Sequence, residues 1–180
     1  ARQASKLEFD SIRTVDGVNA EGKPVKVVVS RTGEIRLLDP KTGRTLSNNY
    51  IPYGSFLFVT DGQEVQRGDK LCEWDPFNAV IVSEFRGVVR YNNLEEGVNY
   101  RMERDDQTGF AEKVVIESKN KRKIPSITIL APKTGEELKN YSLPVGAYIS
   151  VEDEQEVVSG QQIVKIPRKL GKIADITGGL

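Results

Sequence analysis

The sequence predicts an all-β protein built of two similar domains. Short segments rich in β-branched and aromatic residues recur along the 180-residue chain, with turn residues between them. No segment of eleven or more residues keeps the apolar periodicity of an amphipathic helix. Residues 35–76 also match residues 127–168 without a gap, and sixteen of the forty-two aligned pairs are identical. A duplicated set of short strands favours a barrel or a sandwich.

The predicted strands follow one another at short intervals, separated by Gly, Pro, Asp and Asn residues that favour turns. Two weaker matches extend the repeat upstream, because residues 26–29 resemble 113–116 and residues 6–10 resemble 88–92. The strands are predicted at Val25–Ser30, Ile35–Leu38, Ser55–Val59, Ala79–Val82, Gly87–Tyr91, Val114–Glu117, Ile127–Leu130, Ala147–Val151 and Ile163–Ile166.

The repeat leads to a specific prediction of domain boundaries. The first domain is predicted at residues 31–117, and residues 118–123 are interpreted as a linker. The second copy runs out before it reaches a counterpart of the strand Gly87–Tyr91, and its best match is Lys6–Asp10. We therefore expect residues 124–170 plus 1–30 to form the second domain, with the two termini close together. Residues 171–180 are interpreted as a segment that returns to a larger protein.

Composition excludes several classes of function. The 26 acidic and 26 basic side chains balance, so no overall charge attracts nucleic acid or an anionic membrane. No histidine is present, which removes the commonest general base and metal ligand. The single cysteine, Cys72, excludes an internal disulfide and aligns with Val164, which predicts an inert buried thiol. No apolar run has the length of a membrane span and no signal-peptide pattern opens the chain, so a cytoplasmic location is predicted.

The repeated segment resembles the biotinyl/lipoyl barrel-sandwich hybrid fold. The motif D-G-x-x-V-x-x-G-D-x-L runs from Asp61 to Leu71, and Gly87 begins the strand expected downstream. A carrier domain of this type needs a lysine at the tip of the next hairpin. Residues 73–77 contain none, whereas Lys169 occupies the equivalent position in the second copy, with neighbours unlike those around a carrier lysine. A carrier domain therefore remains an alternative, as does a general protein-interaction module.

A second resemblance concerns the end of the chain. The hexapeptide Asp175–Leu180 is similar to a segment in the trigger-loop region of the largest (β′) subunit of bacterial DNA-directed RNA polymerase. Pro52-Tyr-Gly54 and Trp74-Asp75-Pro76 are similar to markers of the large insertion that interrupts this loop in many Gram-negative lineages. The resemblance covers nearly the whole chain. It implies a non-catalytic insertion, made of two barrel-sandwich hybrid domains, that modulates loop movement and hence nucleotide addition, pausing and elongation.

The resemblance also implies what surrounds this chain. The parent enzyme would be a nucleotidyltransferase that uses Mg²⁺ and Zn²⁺, and no catalytic, cofactor-binding or metal-binding residue is predicted in this chain. The implied partners are the β, α, ω and σ subunits, together with the DNA and RNA that the parent enzyme holds. No membrane contact is implied, and the parent enzyme would lie at the nucleoid. The isolated chain is predicted to be monomeric.

Three sets of residues are candidate binding sites, and each also has a structural interpretation. The segment Trp74, Asp75, Pro76 and Phe77 is a candidate interaction tip or a tight turn whose tryptophan caps the barrel. The basic stretch that carries Lys119, Lys121, Arg122 and Lys123 is a candidate phosphate contact or a solvated linker. The acidic group Glu103, Asp105 and Asp106 is interpreted as a hairpin turn rather than a cation site, because it lacks the ligand spacing of a calcium loop.

Overall fold

The computed structural model describes residues 1–104 and 106–168, and these contain β-strands and loops with no helix. The predicted all-β class is confirmed. The chain divides into two compact units, of which the first covers Ala1–Asp75 and the second begins at Pro76.

The first unit contains eight strands in two antiparallel sheets, ordered β5-β4-β1-β7 and β2-β3-β6-β8. Short strands joined by tight turns are typical of a chain whose apolar residues come in brief runs. The strands are β1 (Ser5–Asp10), β2 (Thr14–Val18), β3 (Pro24–Val28), β4 (Glu34–Leu38), β5 (Thr45–Tyr50), β6 (Phe56–Leu57), β7 (Glu64–Val65) and β8 (Cys72–Glu73).

The described part of the second unit contains nine strands, again in two antiparallel sheets, ordered β14-β13-β10-β16 and β11-β12-β15-β17-β9. The strands are β9 (Asn78–Val82), β10 (Gly87–Asn92), β11 (Tyr100–Arg104), β12 (Ala111–Val115), β13 (Ser126–Leu130), β14 (Glu137–Ser142), β15 (Tyr148–Ile149), β16 (Glu156–Val157) and β17 (Gln162–Pro167).

The duplication extends over the whole unit. Strands β1 to β8 recur in the same order as β10 to β17, and the order of strands within each pair of sheets is the same. The additional strand, β9, pairs with β17 at the edge of its sheet. Both weak upstream matches are therefore genuine, since residues 6–10 and 88–92 lie in β1 and β10, and residues 26–29 and 113–116 begin in β3 and β12.

The predicted exchange of the N-terminal segment between domains is wrong. Strand β1 pairs with β4 and β7 of its own unit, with Leu7 opposite Leu37. The second unit receives its equivalent strand from β10, which pairs with β13 and β16. Gly87–Tyr91 therefore belongs to the second unit instead of the first, and the boundary lies at residue 75 rather than near residue 118.

Two further predictions concern the linker and the return segment. Residues 118–123 are not a linker between domains, because they lie in the loop that joins β12 to β13 within the second unit. The return segment at residues 171–180 lies outside the described residues, and the predicted proximity of the two termini therefore stays a prediction.

Each unit has its own apolar core, and the two cores use equivalent positions. Ile35 and Ile127 occupy the same place in β4 and β13 and are both fully buried. Val65 lies in the first core, whereas Leu71 is only partly buried against it. The matching core pairs are Leu7 and Val89, Val28 and Val115, Leu37 and Ile129, Ile51 and Leu143, Leu57 and Ile149, Val59 and Val151, and Val65 and Val157.

One turn is made with different residues in the two units. Gly62 has a φ of 79° and its N–H donates to the Leu7 carbonyl at 2.9 Å. Glu154 occupies the equivalent position with a φ of 65°, and its N–H donates to the Val89 carbonyl at 2.7 Å. A side chain in this left-handed conformation costs about 1 kcal/mol, which glycine avoids. At this turn the second unit therefore carries strain that the first unit lacks.

Replacing Glu154→Gly is expected to stabilise the second unit by about 0.5 kcal/mol, because relief of the left-handed strain exceeds the added entropy of the unfolded chain. Urea unfolding monitored by circular dichroism measures the change. The matched control, Gly62→Ala, is expected to destabilise the first unit. A lower unfolding midpoint for Glu154→Gly would contradict the assignment of strain to this turn.

Candidate interaction site

Two loops of the second unit are longer than their counterparts in the first. Residues 93–99 connect β10 to β11, whereas only residues 11–13 connect β1 to β2. Residues 116–125 connect β12 to β13, whereas residues 29–33 connect β3 to β4. We call these extensions the 93–99 loop and the 116–125 loop. The second of them carries the basic stretch found in the sequence.

The two loops are bonded to each other. The backbone N–H of Lys119 donates to the carbonyl of Val98 at 3.0 Å, and that of Ile116 donates to the carbonyl of Asn99 at 2.9 Å. Asn99 is fully buried, and its side-chain oxygen accepts from the N–H of Glu95 at 2.9 Å. Since buried amide groups with satisfied hydrogen bonds fix loop geometry, the pair forms an ordered surface specific to the second unit.

This surface presents cations. Lys119, Lys121 and Arg122 are exposed and form no salt bridge with the part of the chain that the structure describes. Lys123 differs, because it is half-buried and its Nζ lies 2.6 Å from Oε2 of Glu95. Three of the four residues predicted to contact phosphate are therefore available to a ligand, and the fourth is largely neutralised by its partner. The phosphate contact itself stays a prediction.

The predicted interaction tip contains the boundary between the two units in the sequence. Residues 74–77 connect β8 to β9, and the boundary between units falls after Asp75. Trp74 and Phe77 are 48% and 70% exposed. The carbonyl of Phe77 accepts from the N–H of Arg168 at 2.7 Å. The segment is thus the connection between the units, with two exposed aromatic side chains, and its role in binding a partner stays a prediction.

The titratable groups that lie close together in the second unit stabilise the fold. Lys113 contacts Glu152 and the Tyr91 hydroxyl, the latter at 3.3 Å. Burial lowers the pKa of Lys113, but these two hydrogen bonds outweigh it and raise the pKa overall. Burial raises the pKa of Tyr91 more than the neighbouring ammonium lowers it. Both groups therefore keep their protons at neutral pH, and neither is a base.

Cys72 and the acidic group at Glu103, the other residues that could take part in chemistry, form no assembled site among the described residues. Cys72 is a half-buried thiol beside the first core, and burial raises its pKa, which favours the unreactive protonated form. Oε2 of Glu103 lies 3.5 Å from Nη2 of Arg101, and Asp105 falls outside the described residues. Within the described ranges, no group of three acidic or cysteine side chains is placed to hold a metal ion. In the same residues, no helix is long and apolar enough to cross a membrane.

Sequence reasoning missed a cleft in the first unit, next to the N-terminal segment. The only signal was a difference within the repeat, where Asn49 stands at the position of Tyr141. The described residues thus form a duplicated all-β fold of two units with separate cores, which carries exposed loops and an open cleft.

The chain spans about 12% of the length of the curated relatives it matches, and no protein-family profile matches it. It is similar to the DNA-directed RNA polymerase subunit β′ of Flavobacterium psychrophilum, with 47% identity over 180 residues that cover the whole chain. The β′ subunits of Flavobacterium johnsoniae and Parabacteroides distasonis are 48% and 49% identical over 99% and 97% of the chain. The chain is therefore a homologue of one segment of the bacterial RNA polymerase β′ subunit.

Proposed function

We propose that this chain is the insertion in the trigger loop of an RNA polymerase β′ subunit. In this role it modulates loop movement, and hence nucleotide addition, pausing and elongation during DNA-templated transcription. The observation that carries the proposal is the match of the entire chain to about 12% of the β′ subunit. The hexapeptide Asp175–Leu180, which resembles the trigger-loop region, supports the placement.

The fold suits a mechanical role. Each unit closes a core between two antiparallel sheets whose strands come from distant parts of the sequence. Such units are stiff, because close packing and sheet hydrogen bonds resist deformation. A bulky body tethered within a loop must move whenever that loop folds. Its contacts elsewhere then shift the balance between the open and closed loop.

In this proposal the parent enzyme performs the chemistry. Nucleotidyl transfer, with Mg²⁺ and Zn²⁺ as its metals, belongs to parts of β′ other than this chain. The partners are the β, α, ω and σ subunits and the bound DNA and RNA, in the cytoplasm at the nucleoid. Residues 74–77 are candidates for a protein contact, because two of their side chains are exposed aromatic rings.

The 116–125 loop is our candidate for a phosphate contact. Its three exposed cations, Lys119, Lys121 and Arg122, lie within four residues of one ordered loop. If each of the three cations neutralises one phosphate, a plot of log binding constant against log salt concentration becomes steeper by a slope of about 3.

Deletion of the insertion from the polymerase tests the proposal. The loop would then close without displacing a 20.0 kDa body, so we expect shorter pauses. A coupling free energy of about 1 kcal/mol between the insertion and loop closure corresponds to pauses about fivefold shorter. Pause duration and elongation rate on a defined template are the measurements. Deletion that leaves both quantities unchanged would show that the insertion is a passive spacer.

A further inference from the structure

The first unit has an open cleft where the second unit is filled. The cleft has a volume of about 580 Å³ and lies between the N-terminal segment and strand β5. Its apolar lining comes from three leucines, and its polar lining includes a guanidinium, a hydroxyl and an amide. These residues are Leu37, Leu46, Leu71, Arg2, Ser47 and Asn49.

In the second unit a tyrosine ring and an ion pair occupy the equivalent space. Tyr141 is 7% exposed, and its hydroxyl accepts from the N–H of Glu84 at 3.0 Å. The Nζ of Lys139 lies 2.8 Å from Oε1 of Glu84 and 5.8 Å from the centre of the Tyr141 ring. The ring belongs to the same core cluster as Ile129 and Ile163, which are both fully buried.

Strand register establishes the equivalence of the two places. Asn49 lies opposite Ile35 in the first unit, as Tyr141 lies opposite Ile127 in the second. Ser47 likewise lies opposite Leu37, in the position that Lys139 takes opposite Ile129.

The N-terminal side of the cleft corresponds in the same way. Arg2 lies three positions before the first residue of β1, as Glu84 lies three positions before the first residue of β10. The carbonyl of Ala1 accepts from Gly68 N–H at 2.9 Å, as that of Ser83 accepts from Gly160 N–H at 2.7 Å. The first unit thus lacks the ring and both charges of the internal pair, and Leu71 is left partly exposed where Ile163 is covered.

We propose that this cleft binds an aromatic side chain adjacent to a carboxylate, presented by a partner protein. The three leucines offer an apolar floor for a ring, as the corresponding residues do for Tyr141. Arg2 is exposed and forms no salt bridge with the described residues, so it attracts a carboxylate. Ser47 and Asn49 can bond a phenol hydroxyl at the rim. A tyrosine next to an acidic residue fits best.

The test is an NMR titration of the ¹⁵N-labelled 180-residue chain with the amide of N-acetyl-glutamyl-tyrosine. We expect saturable shifts at the amides of Arg2, Leu46, Ser47 and Asn49, with an affinity in the millimolar range, since so small a ligand has few atoms to contribute. Residues 138–141 of the second unit provide an internal control and should not shift. Peptides with lysine in place of the acidic residue, or alanine in place of tyrosine, should bind at least about fivefold more weakly.

Two variants make the test specific. Asn49→Tyr places in the cleft the ring that the second unit carries at this position, and it should weaken peptide binding by about tenfold while the chain stays folded. Arg2→Glu should reverse the preference, so that the lysyl-tyrosine peptide binds better than the glutamyl-tyrosine peptide.

Three results would overturn the proposal: no saturable shift at the cleft, equal binding by Asn49→Tyr, or no preference for the acidic peptide. None of them bears on the effect of deletion on pausing, because the inference does not rest on the function proposed for the parent enzyme.

Discussion

Replacing Gly87→Ala is expected to destabilise the second unit by about 3 kcal/mol, which is a large fraction of the stability of a small domain. Gly87 begins β10 and is buried against β13, next to the point between Ile129 and Leu130 where the register of β13 with β14 shifts. A Cβ atom at residue 87 would lie 2.3 Å from the carbonyl oxygen of Leu130 and 2.7 Å from Cγ2 of Ile129. Because backbone blocks the added methyl group, β10 must separate from β13.

The first unit provides the matched control for this substitution. Ser5 occupies the equivalent position in β1, is 1% exposed, and donates from Oγ to the Gln3 carbonyl at 3.0 Å. Ser5→Ala keeps the Cβ atom and loses only that hydrogen bond, at a cost of about 1 kcal/mol. Hydrogen exchange of the β10 and β13 amides measures the effect of Gly87→Ala, and that of the β1 and β4 amides measures the effect of Ser5→Ala. Equal effects of the two substitutions would show that β10 does not pack as closely as described.

Replacing Leu7→Ala is expected to destabilise the first unit by about 3 kcal/mol and to leave the second unit unchanged. Leu7 is 1% exposed, and the smaller side chain leaves a cavity in the first core. Its backbone bonds to Gln63 and Gly62 do not depend on the side chain and are retained. Residue-resolved hydrogen exchange should show lost protection in β4 and β7, with none lost in β13 and β16.

Val89→Ala is the mirror experiment, because Val89 is the counterpart of Leu7 in the second core. It should reduce protection in β13 and β16 and leave β4 and β7 protected. If Leu7→Ala instead reduced protection in β13 or β16, the N-terminal strand would contribute to the second unit after all, and the tandem arrangement would be contradicted.

Two strands that the sequence did not predict, β5 and β11, share a physical property. All six residues of β5 (Thr45–Tyr50) are exposed, and β11 (Tyr100–Arg104) is mostly charged and exposed. Both lie at the edge of a sheet, where backbone hydrogen bonds to a single neighbour hold the strand and no apolar face is buried. Strands with a buried face, such as β4 and β13, were predicted because their apolar residues alternate or cluster.

The misplaced domain boundary has a related cause. The repeat correctly identified which strand of one copy is equivalent to which strand of the other. Similarity between two segments does not show which neighbouring strand each of them is hydrogen-bonded to. The segment Gly87–Tyr91 follows the first copy in sequence, so the sequence assigns it to the first domain. Pairing is decided by contacts distant in sequence, here with β13 and β16.

Substitutions within the repeat also change interactions without changing the fold. Arg36 of β4 bonds Glu8 and Asp10 of β1 at 3.0 and 2.6 Å. In the second unit the same position holds Thr128, whose Oγ1 accepts from Asn92 at 2.7 Å and from Asn140 at 2.8 Å. A charged triad and a neutral amide network thus stabilise equivalent sheets. The basic loop and the Trp74 segment are visible in the sequence, because each is a run of neighbouring residues. The cleft is not, because it depends on the strand register that makes Asn49 equivalent to Tyr141.

The most direct test of the account replaces the insertion in the polymerase with a flexible Gly/Ser linker of equal length and measures pause duration. The account attributes the effect on the loop to a folded body that must move and that makes contacts. The linker enzyme is therefore predicted to pause as briefly as the enzyme from which the insertion is deleted, because a flexible chain of this length closes at little added cost. Pauses as long as those of the intact polymerase would contradict the account.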